Sequence, residues 1–213
     1  YPGSPDPSSQ DMPITQEQID QWKDTAAAGG TIGSYTLDGD NTAALGPTRI
    51  NGDLLVKNSA ILTLGGTLWV TGNITFEDSG VLQLDAGYGA NSGIVIADGT
   101  ILIKNNVIIC GSEGYDAANL ACYPPNDSYA MLLSTKSGSG AVVLENNANL
   151  NGIVYASLGE VLLKNNANVK AVAGYSMAVE NNSTIHYESG LVNLNFSSGP
   201  GGGWDIGAWR EVE

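Results

Sequence analysis

Positive charge is scarce in this chain. Of its 213 residues only 8 are Lys or Arg, against 22 Asp or Glu, for a formal net charge of −14, and the only arginines are Arg49 and Arg210. A surface that holds phosphates needs clustered Lys and Arg. Nucleic acid is therefore excluded as an expected partner, and an anionic membrane or a polyuronate is disfavoured for the same reason. Charged residues of either sign reach only 14%, below the quarter usual in globular proteins. No apolar run approaches the roughly 20 residues of a membrane span, and no signal peptide is read. The chain starts at Tyr1 rather than Met, which reads as a processed or truncated piece. Thiols are limited to Cys110 and Cys122, twelve apart, a spacing that fits no zinc pattern. A disulfide closing that loop is preferred over two reduced thiols, and it implies an oxidising, extracytoplasmic setting.

What the sequence does have is repetition. "LLVKNSAIL" (54–62), "ITFEDSGVL" (74–82), "ILIKNNVII" (101–109), "VVLENNANL" (142–150), "VLLKNNANV" (161–169) and "MAVENNSTI" (177–185) align on one charged residue. The separations are 20, 27, 41, 19 and 16. Two insertions, 85–93 and 110–129, account for the long intervals, and without them the period is about 16–20 residues, the mark of a solenoid. A second column, "TLWVTG", "GIVIAD", "AMLLST", "GIVYAS" and "AVAGYS", opens each coil. The expected fold is all-β: a single-domain parallel β-helix over 31–200, right-handed like most parallel crossovers. It should have three short strands per coil and roughly seven or eight coils.

Asn58, Asp78, Asn105, Asn146, Asn165 and Asn181 fall at one corner of successive coils. Stacked side-chain amides can bond along the axis as ladders do in cross-β structures, with Asp78, beside Ser79 and Gly80, expected to bend its corner differently. The preceding column, Lys57, Glu77, Lys104, Glu145, Lys164 and Glu180, alternates in sign. Opposite charges one strand apart add about 0.2–1 kcal/mol and like charges repel, so the alternation fixes register.

Solenoid ends expose strand edges and need covers. Residues 1–12 read as a linker and 13–30 as an N-terminal capping helix. Thr15 is its N-cap, Gln18 completes a capping box, Ile14 and Ile19 form a hydrophobic staple, and Gly29–Gly30 stop it. Residues 201–213, with Trp204, Ile206 and Trp209, read as a C-terminal cap; tryptophans stacking on sugars are the alternative.

The run "GTLWVTGNITF" (66–76), the Asn-Asn-Ala corners and the ending 187–213 resemble the C-terminal solenoid region of PilX-like, minor-pilin-like bacterial pilus-assembly proteins. The similarity extends from about Pro13 to Glu213. The resemblance implies protein partners of a pilus or cell surface, and it carries no catalytic residues over. Other β-helices are carbohydrate enzymes, but their chemistry needs clustered carboxylates, calcium or a suitably placed base. Here the acids are scattered. Asp38 and Asp40 in "LDGDN" read as a turn, lone His186 as a strand-surface residue, and no nucleotide or metalloprotease motif occurs. No enzyme, metal or cofactor is expected. Thr63, Thr67, Thr71 and Thr75 occupy changing phases of the coil, not the single column that ice binding needs. Recognition is expected in the longer insertion, through Tyr115, Tyr123 and Tyr129, with Tyr88 of the shorter one extending the same surface; a simple covering flap is the alternative. The expected function is a non-catalytic, structural or adhesive module at the bacterial cell surface, with glycan binding and an assembly or ice-associated solenoid as alternatives.

Overall fold

The computed structural model describes residues 12–125, 127–186, 195–199 and 202–205. The chain winds as a parallel β-solenoid with three sheets. Sheet 1 stacks 31–33, 49–50, 68–70, 93–97, 130–134, 152–156 and 171–174. Sheet 2 stacks 35–38, 54–57, 74–76, 101–104, 142–145, 161–163 and 177–179. Sheet 3 stacks 42–45, 61–64, 81–84, 108–109, 149–150, 168–169 and 184–185. Each described sheet thus has seven rungs, within the number expected from the repeat.

Period-two alternation sends one set of side chains inward. Leu54, Ile74, Ile101, Val142 and Val161 stack in register on sheet 2, and Val56, Phe76, Ile103, Leu144 and Leu163 form the next column. All are at most 1% exposed, so the interior is continuous apolar packing rather than a channel.

Sheet 1 is apolar on both faces. Val95, Leu132 and Val154 point into the solenoid, while Ile94, Ile96, Met131, Leu133, Ile153 and Tyr155 join a second buried cluster outside it. Uninterrupted runs such as "GIVIA" and "AMLL" are the mark of a strand covered on both sides. The cover is helix α1 (Gln16–Ala28), whose buried residues are Ile19, Trp22 and Ala26. At its start the Ile14 amide donates to the Tyr155 hydroxyl at 3.2 Å, and at its end the Gly30 carbonyl accepts from Arg49 at 2.9 Å. Thirteen residues at ~1.5 Å each span about 20 Å, which matches four rung spacings of ~4.8 Å. The expected N-terminal helix is present with Thr15 as its N-cap, accepting from the Gln18 amide. What it covers is the flank of the stack, not the end.

The flank also receives the chain's later part. Phe196 forms a parallel bridge with Ser92 and sets its ring 6.4 Å from that of Trp22. Strand Asn195–Gly199 pairs antiparallel with Gly202–Asp205, placing Phe196 opposite Trp204. Ile206 and Trp209, and the rest of the expected C-terminal cap, lie outside the described residues, as do 1–11 of the linker expected over 1–12; its last residue, Met12, packs against the flank cluster. The first rung is an exposed edge at Thr31–Ser34.

Candidate functional site

Six of the seven turns from sheet 2 to sheet 3 use two successive left-handed residues: 58–59, 78–79, 105–106, 146–147, 165–166 and 181–182, all with φ between 49° and 66°. Asn and Asp tolerate this region better than other non-glycine residues, which explains why the pairs are Asn-Asn, Asn-Ser or Asp-Ser. The bend leaves the second residue's N–H pointing up the stack: Ser59, Ser79, Asn106, Asn147 and Asn166 each donate to the carbonyl of the first corner residue of the next rung, at 2.9–3.1 Å. Side chains bond the other way. Asn105 donates to Asp78, Asn146 to Asn105, Asn165 to Asn146 and Asn181 to Asn165, at 2.8–3.0 Å.

Asp78 bends its corner like the others, with φ 50° and Ser79 at 63°, contrary to the expectation of a different turn. Its carboxylate accepts but cannot donate to Asn58. Asn58 instead starts a separate pair, donating to Asp38 at 2.7 Å. A parallel ladder through the second corner residues, Asn166 to Asn147 to Asn106, was signalled by the doubled asparagines but not anticipated.

The charge column forms ion pairs toward its N-terminal side: Lys104 with Glu77 at 3.0 Å and Lys164 with Glu145 at 2.8 Å. Hydrogen bonding to these carboxylates raises both lysine pKa values above the ordinary range, with added attraction from Glu145 at Lys104 and from Glu180 at Lys164. Lys57 pairs with Asp38 at 3.3 Å. Asp38, read from sequence as part of a turn, is thus the first member of the column. A third polar stack joins sheets 1 and 2: Asp53 accepts from the Asn73 amide and Asn73 from the Thr100 amide. The phrases "NGD", "TGN" and "DGT" carried that signal.

Outside the column, Cys110 and Cys122 form a disulfide, and the loop between them contains a small hairpin pairing Tyr115–Asp116 with Ala121–Cys122. It leans over the corner. The result is an open groove of about 420 Å³ whose floor is Ser79, Asn106 and Asn147, continued by Ile108 and Asn149 of sheet 3. Tyr115 and Leu120 form its wall. Leu120 is 68% exposed. Burial, and secondarily the nearby Asp116, raises the Tyr115 pKa, so the phenol stays neutral.

Of the four tyrosines expected to bind, Tyr115 lines this groove and Tyr123 is exposed at 49%. Tyr88 and Tyr129 are corrections. Each is 1% exposed, Tyr88 in the solenoid interior and Tyr129 beneath the flank, and neither can meet a ligand. Burial, then Asp85, raises the pKa of Tyr88. Tyr129 lies where the longer insertion re-enters the stack, and Tyr88 closes the short 3-10 turn within the shorter one, so residues that anchor the insertions were mistaken for their display surface. Leu120, absent from the sequence expectation, was visible only as a lone apolar residue at a loop tip. His186 is exposed beside Thr184.

Among the described residues no group of three or more His, Cys, Asp or Glu could hold a metal ion, and no helix is long and apolar enough to cross a membrane. No protein-family model matches the chain, and no match was found among curated proteins or solved structures.

Proposed function

We propose that this chain is a non-catalytic surface module, structural and adhesive in role, that acts outside the cytoplasm of a bacterium in association with a pilus or the cell envelope. The disulfide supports an oxidising compartment, and the resemblance of 66–76 and the Asn-Asn-Ala corners to PilX-like proteins supports the pilus. The observation that carries the adhesive part is the groove beneath the disulfide hairpin. Its lining contains no carboxylate, Lys, Arg or His, although the chain as a whole carries a net charge of −14. The ligand class that fits is an uncharged glycan. Amides at the rung spacing of ~4.8 Å offer paired donors and acceptors, and Tyr115 and Leu120 offer the apolar side that a sugar face packs on. Within the floor, the side-chain Oδ1 of Asn106 accepts from Asn147, while both N–H groups of its side-chain amide are unpaired among the described residues.

The test is a neutral-glycan array followed by titration calorimetry on the best ligand. Tyr115→Ala is expected to weaken binding about tenfold, equivalent to ~1.4 kcal/mol, while Tyr123→Ala leaves it unchanged. Equal affinity for wild type and Tyr115→Ala, or binding confined to charged polymers, refutes the groove as the site. Turnover of the bound glycan would move the chain to the carbohydrate-active class.

A further inference from the structure

Glu113 stands inside the disulfide loop, and its two oxygens have unequal surroundings. Oε1 accepts from the Gly111 amide at 3.1 Å and from the Asn151 side-chain Nδ2 at 2.6 Å. Oε2 is sealed from solvent without a partner, and so is Oδ1 of the same Asn151. Two groups already in contact therefore each present a bare, buried acceptor. A β-carbon at Gly111 would lie 2.5 Å from Oε2 and 1.9 Å from the Ser128 carbonyl oxygen, so a further acceptor crowds the same point. Exchanging the Asn151 amide atoms would only set its oxygen against Oε1. A single proton on Oε2 turns that atom from acceptor to donor and meets both needs at once.

We propose that Glu113 carries a proton and closes, with the Asn151 amide, a two-bond acid–amide ring that clasps the disulfide loop to the turn between sheets 3 and 1, and that the clasp opens when the proton leaves. Asn151 Nδ2 donates to Oε1 and Oε2–H donates to Asn151 Oδ1. The charged and titratable groups on the segments around it are Asp85, Tyr88, Tyr115, Asp116, Tyr123, Asp127, Tyr129 and Lys170. Among the described residues no ion pair to Glu113 is formed. Burial is the chief influence on its carboxyl and raises its pKa; the hydrogen bonds from its own backbone amide, then from Asn151 and Gly111, only partly oppose this. The folded chain therefore holds this proton more tightly than the unfolded chain. The clasp is intact below the ordinary glutamate range and weakens as pH rises through the folded value. Because the same loop carries Tyr115 and Leu120, the proton sets how firmly the groove wall is held, whatever the groove binds.

The experiment is a carboxyl-carbon NMR titration of the full chain together with hydrogen exchange of the hairpin amides, of which Tyr123 donates to the Gly114 carbonyl. Glu113 is expected to titrate above the other glutamates. Hairpin protection should fall by up to about tenfold per pH unit within that window, after correction for intrinsic exchange. Glu113→Gln, whose amide can close the same ring without a proton, should keep protection flat across pH, and Glu113→Ala should lower it throughout. A Glu113 titrating at or below the ordinary range overturns the proposal, as does Glu113→Gln being less protected than wild type at acid pH. Tightening of the hairpin by calcium alone, with a downward shift of the titration, also overturns it, in favour of a cation between the same oxygens.

Discussion

Along one edge of the solenoid the chain passes from sheet 2 to sheet 3 six times through the same left-handed pair, whereas along the edge from sheet 3 to sheet 1 the crossings range from the single residue Asn151 to the twenty of 110–129. The first edge is tied rung to rung by backbone bonds running up the stack and amide bonds running down it. The second has no such column, and insertions enter there. Regularity at one corner is what makes irregularity at the other tolerable, because the inward columns need only one edge to hold their register. Binding surface then accumulates on the free edge, which is the general pattern of repeat proteins.

Inserting a single residue on each edge breaks this comparison most severely. A glycine placed between Asn146 and Asn147 puts every following side chain out of phase with its rung, and a one-residue slip exchanges the inner and outer faces of a strand. Val161 and Leu163, now fully buried, would face solvent. The expected outcome is loss of cooperative folding for the stack after residue 146, read by circular dichroism and limited proteolysis. The same glycine between Ala117 and Ala118, both exposed at the hairpin tip, lengthens a closed loop by one residue. It should cost less than about 0.5 kcal/mol. Comparable losses at the two sites would remove the distinction between the edges.

The two edges also differ in how far the sequence discloses them. The corner is legible because one physical requirement, a left-handed pair whose side chains stack, selects Asn, Asp or Ser at six of the seven rungs. Lys57 to Glu180 and Asn58 to Asn181 could be aligned by eye for that reason. The flank is less legible because it is built from unlike parts: helix α1, Tyr129 and Phe196 meet only in three dimensions. The double-sided burial of sheet 1 was available in "GIVIA" and "AMLL", yet nothing in the helix itself distinguishes covering a flank from covering an end. The groove could not be read at all, since its wall is a hairpin folded back over rungs from three different coils. Asp38 was obscured by its setting in "LDGDN", where a turn gives a sufficient account of it.

Substitutions at Asn146 separate backbone strain from the amide ladder. Asn146→Ala places alanine at φ 54°, a region that costs a non-glycine residue about 1–2 kcal/mol. It also strips the partners from Asn105 Oδ1 and Asn165 Nδ2, each worth about 1 kcal/mol. The expected loss is about 2–4 kcal/mol by urea denaturation. Asn146→Gly accepts the left-handed conformation freely and should lose only the amide part, about 1–2 kcal/mol. If the two variants are equally destabilised, the asparagines serve the ladder alone and their conformational tolerance is incidental.

The smallest effect lies at the bottom of the corner, where Gly39 with φ 68° occupies the ladder position and Asp38 takes over the acceptor's role. The carboxyl of Asp38 is held below the ordinary aspartate range, chiefly by the hydrogen bond from Asn58 and next by the hydrogen bond and charge of Lys57. Because the folded value is lowered, the stabilisation is present above the unfolded aspartate pKa of 3.8 and is lost as pH falls through the folded value. A carboxyl-carbon NMR titration should show Asp38 remaining charged below that point in wild type. Asn58→Gly, which preserves the left-handed bend, should move the titration upward more than Lys57→Met does. The reverse order would make the ion pair, and not the amide, the principal tie at the first rung.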